Sequence, residues 1–197
     1  MYSIIERTVI FNWDFNQELN DTILNDIALC DKIIFNDYDD LNTCLITNNK
    51  LDYKYSIVWR GSLFNQRLDN LPSEIKDLTL GFVFAQPLDN LPHGIQNLKL
   101  GNIFDRSLDN LPPLITNLTL GNGFNQSLNN LPSAIQNLTL GDGFNQCLDY
   151  LPHGIRDLTL GSCFNQCLDN LPSSIINLTF GADFNQPLDN LPSSIIN

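Results

Sequence analysis

The chain has 197 residues, 43% of them hydrophobic, and a formal net charge of −12. That apolar content supplies a core and excludes wholesale disorder. The acidity, with Arg156 the single basic residue after Arg106, repels phosphate backbones and anionic lipid, so no nucleic acid and no membrane is expected as a partner.

Met1 to Ile10 contains no apolar run of signal-peptide length, and no segment approaches the roughly 20 apolar residues of a membrane-spanning helix. Five cysteines, an odd number without framework spacing, fit a reducing compartment. These features predict a soluble, intracellular, cytoplasmic protein (in the host cytoplasm if it is viral). The Asn-Leu-Thr triplets at Asn117, Asn137 and Asn177 arise from an internal repeat and are read as incidental rather than as glycosylation sites.

In chain order, the first predicted strand is Thr8 to Phe11, with Val9 and Phe11 facing inward and Asn12 standing where later copies have a turn glycine. The run on to Leu19 aligns with the later repeat, placing Phe15, Asn16 and Gln17 on its Phe, Asn and Gln. A helix is predicted from Asn20 to Cys30, with apolar residues at 23, 24, 27 and 28 and with Asn20 or Asp21 as its cap. Lys32 to Asn36 reads as a second degenerate strand and Ser56 to Gly61 as a third, directly before Phe64. Residues 1–63 are therefore read as degenerate capping repeats with a short helix, which close the end of an array.

From Phe64 a block returns every 20 residues without insertion, opened by Phe64, Phe84, Phe104, Phe124, Phe144, Phe164 and Phe184. Such a period means a stacked solenoid. In the fourth copy Phe124, Leu128, Leu131, Ile135, Leu138 and Leu140 form the inward set, and the alternation at Leu138 and Leu140 marks a short strand with Asn137 and Thr139 pointing outward. A glycine follows the strand in every complete copy, Gly81 to Gly181, where a side chain would be hindered. The proline of each copy, Pro72 to Pro192, opposes a long helix on the other side of the coil. Recurrent Asn and Gln predict ladders of amide side chains bonding along the array and to turn backbone. The recurrent aspartate, Asp69 to Asp189 with Asn129 the exception, is expected to cap a tight turn. The seventh copy stops at Asn197, before its strand; this is read either as a truncation or as an open end for end-to-end self-association.

The run Leu131-Pro132-Ser133-Ala134-Ile135-Gln136-Asn137-Leu138-Thr139-Leu140 follows the leucine-rich-repeat pattern. The fuller form F-N-Q-x-L-D-N-L-P closely resembles the FNIP repeat of social amoebae and of giant viruses that infect amoebae, over residues 64–197. The resemblance implies a leucine-rich-repeat-like solenoid with a protein-binding role. In members carrying an F-box ahead of the repeats it also implies a substrate adaptor of a ubiquitin ligase. Here β-like runs interrupt residues 1–63, where such a helical bundle would have to lie.

Candidate chemistry is sparse. Cys147, Cys163 and Cys167, with His153 as a fourth ligand, are the one conceivable metal set. The place of Cys147 and Cys167 holds Pro87, Ser107 and Ser127 in other copies, so an open small-residue position is the favoured reading and no metal or other cofactor is expected. The aspartate column lacks the glycine-rich nonapeptides of calcium-binding rolls. His93 and His153 have no nucleophile partner, and no phosphate-loop, serine-elbow or zinc-protease motif occurs. No enzyme is therefore expected. Partner recognition is assigned to residues that break the repeat: Lys76, Phe82, Val83, Lys99, Asn102, Ile103 and Arg156. Phe82, Val83 and Ile103, apolar in turns that elsewhere hold Asn, Gly or Asp, are expected to form an exposed patch.

The expected fold is mainly β: a right-handed leucine-rich-repeat-like solenoid of 20-residue coils with short parallel strands and a minor helix in its N-terminal cap. The expected function is non-enzymatic protein binding through the strand face and adjoining turns. The alternatives are the ligase adaptor and a structural module that assembles through its open C-terminal end.

Overall fold

The computed structural model describes residues 2–5, 7–11, 15–28, 30–35 and 63–196. Its strands form one nine-stranded sheet in simple sequence order. β1 (Tyr2–Ile5) pairs antiparallel with β2 (Thr8–Phe11) across a turn in which Arg7 has a φ of 65°. Every later pairing is parallel: β3 (Lys32–Phe35), β4 (Asp77–Thr79), β5 (Asn97–Lys99), β6 (Asn117–Thr119), β7 (Asn137–Thr139), β8 (Asp157–Thr159) and β9 (Asn177–Thr179). The register puts Leu78, Leu98, Leu118, Leu138, Leu158 and Leu178 directly beside one another, so residues 20 apart in sequence are neighbours in space. The protein is a leucine-rich-repeat-like β-solenoid.

Each coil combines one strand with three four-residue turns. In the coil around Phe84, the Phe84 N–H donates to the Gly81 carbonyl (3.2 Å), Leu91 to Leu88 (3.4 Å) and Ile95 to Pro92 (3.3 Å). Every turn therefore closes on an apolar residue that points inward, and the proline supplies the carbonyl of the last one. Six columns fill the interior, with Phe64, Phe84, Phe104, Phe124, Phe144 and Phe164 wholly buried. Their rings stack 6.1–6.3 Å apart along the axis from Phe64 to Phe184, nearly parallel throughout.

The N-terminal segment continues the same core. Val9, Phe11, Phe15 and Leu19 are buried, as the alignment with the repeat predicts. Asn16 accepts from the Asn65 N–H at 3.1 Å, joining that degenerate coil to the regular array. The helix is present but short: α1 spans Asp21–Ile27, and Asn20 is the residue that caps it, accepting from the Ile23 N–H at 3.2 Å. Ile23 and Ile27 enter the core. β1 was not expected from sequence, because four residues without a repeat partner carry no periodicity. The strand expected at Ser56 to Gly61 lies outside the described residues. β3 pairs directly with β4, Ile33 beside Leu78, so the sheet contains no strand between them. In the last described coil Phe184, Leu191 and Ile195 are only half-buried.

Candidate interaction surface

The outward residues of each strand form two columns along the sheet. One is an Asx ladder: Asn97 donates its amide to Asp77, Asn117 to Asn97, Asn137 to Asn117, and Asn177 to Asp157. The donor always lies on the later coil. A carboxylate, which only accepts, therefore fits the first place of a series, where Asp77 and Asp157 stand. The second column is Thr79, Lys99, Thr119, Thr139, Thr159 and Thr179. Lys99 is its one departure.

Beyond the threonine column the chain turns through the glycines. A Cβ on Gly101 would lie 2.0 Å from the Gly81 carbonyl oxygen, and one on Gly141 would lie 2.4 Å from the Gly121 carbonyl. The glycine column is thus fixed by the close approach of successive coils. It floors a groove of about 340 Å³ that runs over five coils, with the threonines on one side and the turn residues Asn102, Asn122, Asp142 and Ser162 on the other. A second depression of about 260 Å³ crosses the strand face from Lys32 to Asn117 and Thr119 and also includes Lys99.

A third set of bonds explains the F-N-Q letters. The Asn145 side chain accepts from the Asn165 N–H (2.9 Å) and from the Gln166 amide (3.1 Å), and Asn125 serves Asn145 (2.9 Å) and Gln146 (3.2 Å) in the same way. The amide ladders expected from sequence are present. The aspartate expectation needs correction. The Asp69, Asp89, Asp109, Asp149 and Asp169 carboxylates accept from the Asn of the next coil, at 2.7–3.0 Å, so they tie coils together. Turn capping falls instead to Ser107 and Ser127, which accept from the Asp109 and Asn129 N–H groups. The Asn90 amide draws the Asp69 carboxyl below the usual carboxylate range, and the Asn130 and Asn190 amides do the same for Asp109 and Asp169.

The residues that break the repeat do not form one site. Phe82, Val83, Asn102 and Ile103 meet on neighbouring coils, where the Ile103 N–H donates to the Phe82 carbonyl at 3.0 Å. Ile103 is 49% exposed, but Phe82 and Val83 are half-buried, so the apolar patch is smaller than expected because the turn folds those two against the coil. Lys99 faces outward beside this edge and shares the groove with Asn102. Lys76 precedes β4 on the far side of the strands, and Arg156 precedes β8, four coils further on; each gives its carbonyl to the next coil.

Cys147, Cys163 and Cys167 are exposed free thiols and Cys30 is a buried one. The neighbouring Asp169 carboxylate, which accepts from the Cys167 thiol, raises the Cys167 pKa, and burial raises that of Cys30. Among the described residues no three His, Cys, Asp or Glu side chains converge to hold a metal ion. Tyr150 escaped the sequence reading. It is 66% exposed and occupies the place of the bonding Asn; the signal was there in the one break of that column.

The FNIP Repeat family profile matches residues 64–103, 124–163 and 164–197, together more than half of the chain. The chain belongs to the FNIP repeat family. The FNIP solenoid is similar to CroV588 of a giant virus, whose crystal structure is described as a novel circular LRR protein structure. The likeness has a TM-score of 0.72 and 32% identity, and it covers 98% of this chain and 30% of that one. The FNIP chain thus spans about a third of the length of that relative. A comparison with curated proteins returned no match. No helix among the described residues is long and apolar enough to cross a membrane.

Proposed function

We propose that this FNIP solenoid is a non-enzymatic interaction module that binds a protein partner through its strand face and the adjoining glycine turns. The observation that carries this reading is the outward face itself. Eight parallel strands present side chains in fixed register, the Asx ladder immobilises one column, and a groove runs beside the other. Such a surface is pre-organised, so little side-chain entropy is lost on binding. Extended arrays of repeats characteristically bind along their continuous faces. The ligase-adaptor alternative draws no support from the described part of residues 1–63, whose strands and seven-residue helix belong to the same sheet and core.

The test is quantitative affinity purification with paired variants. Thr139→Arg with Thr159→Arg places bulk and charge on the strand face. Ser133→Arg with Ser173→Arg does so on the proline turns. Loss of captured protein with the first pair alone, while both pairs keep the wild-type circular dichroism, is the expected result. Equal capture by both pairs removes the strand face from the proposal.

A further inference from the structure

We infer that the glycine groove takes an extended peptide with mixed charge, whose acidic side chain sits on Lys99 and whose basic side chain lies about three residues away, against Asp142. The inference rests on the interaction-module reading and names the chemistry of the partner.

The groove fits an extended chain. Its 340 Å³ are spread over five coils, or about 20–25 Å at strand spacing, a long run that an extended chain can follow from coil to coil. That length holds about six or seven extended residues. The floor cannot fill in, because a Cβ at any of its glycines from Gly101 to Gly181 would meet backbone of the coil beneath at 2.5 Å or less.

Charge sets the polarity of the occupant. Lys99 makes no ion pair among the described residues. Its register neighbours are Thr79 and Thr119, whose hydroxyls flank any carboxylate seated on the ammonium group. Lys99 also stands where the groove meets the depression on the strand face. On the opposite wall the Asp142 carboxylate is held rigidly. One oxygen accepts from the Ser162 N–H (3.1 Å) and hydroxyl (2.8 Å), the other from the Asn122 amide (3.0 Å). Those Ser162 bonds lower its pKa, so it stays ionised.

Lys99 ends β5 and Asp142 follows β7. Two coils separate them, or about 10 Å along the axis, which is about three residues of extended peptide. A chain with net charge −12 repels a uniformly acidic peptide. A uniformly basic one would be repelled by Lys99 and drawn instead to the Asp89, Asp109, Asp149 and Asp169 carboxylates, which do not line the groove. Opposite charges about three residues apart satisfy the lysine at the head of the groove and the aspartate at its middle coil.

The experiment pans a random dodecapeptide display library on the full chain and measures the selected peptides by fluorescence anisotropy. Lys99→Thr installs the residue that the neighbouring coils already hold at this place, so the fold is retained. The expected result is a set of peptides sharing an acidic and a basic residue about three apart. Lys99→Thr should weaken them three- to tenfold, only while the acidic residue is present and not after its replacement by Gln. Lys99→Arg should restore binding, and Asp142→Asn should remove the dependence on the basic residue. Selected peptides without the charge pair, or binding indifferent to Lys99→Thr, overturn the inference and leave the interaction module standing. Failure to select any peptide also overturns it, while capture of a folded partner through Thr139 and Thr159 decides the broader reading separately.

Discussion

At the residue scale, the glycines show most clearly how stacking dictates identity. None of the described glycines has a positive φ, so conformational freedom is not what selects them. Contact is. On Gly141 a Cβ would lie 2.4 Å from both the carbonyl carbon and oxygen of Gly121, and backbone cannot give way as a flexible side chain can. Gly141→Ala is expected to destabilise the protein by about 1–3 kcal/mol through overpacking, read as a lower urea midpoint with an unchanged fold by circular dichroism. A change within about 0.5 kcal/mol would mean that coils separate easily and that the groove floor is not rigid. Sequence placed the hindrance correctly at this column, but the partner atom lies 20 residues away and became visible only once the register was known.

At the scale of the coil, two departures from the side-chain ladders come in pairs that face each other across coils. Asn129 stands where an aspartate would accept from the next coil, and the residue that would donate is Tyr150; both members of that one link differ. Ala85 likewise lacks the side-chain acceptor of its column, and Arg106, in the place of the glutamine that would use it, bonds the Ala85 backbone carbonyl instead. The pairing predicts coupling. Asn129→Asp with Tyr150→Asn should rebuild the missing link and exceed the sum of the two single changes by about 0.5–1 kcal/mol in a double-mutant cycle. Strict additivity would show that these bonds contribute nothing net. The columns of Asn and Gln were legible in the sequence as ladders, whereas the Asp column reads there as turn caps. Their donors and acceptors were not, since an aspartate in a tight turn is equally suited to capping its own coil. The bond to the Asn 21 residues later exists only because the coils stack.

At the scale of the molecule, the surplus of carboxylates sets the response to acid. The ladder bonds hold Asp69, Asp109 and Asp169, and the Ser162 bonds hold Asp142, below the ordinary carboxylate range. A carboxyl whose folded pKa is depressed stabilises the fold fully above its unfolded value and loses that contribution as pH falls through the folded value. Mutual repulsion in a chain of charge −12 works the other way, but all four of these aspartates are held downward, so at these sites the local bonds prevail. The melting temperature is expected to hold above about pH 5 and fall steadily below about pH 4; a rise on acidification would show that repulsion dominates. Over the whole chain, period and composition alone settled the solenoid, the six inward columns, the strand within each coil and the continuation of the core into Phe11 and Phe15, because a 20-residue repeat that cannot bury its own apolar face must stack. They also marked Lys99 and Asn102 as departures from the pattern. Only the tertiary structure decided that these two share a groove, that Lys76 and Arg156 stand apart from it, and that Phe82 turns half inward. Those outcomes depend on how closely one coil approaches the next, and that distance is a property of the stack rather than of any single copy.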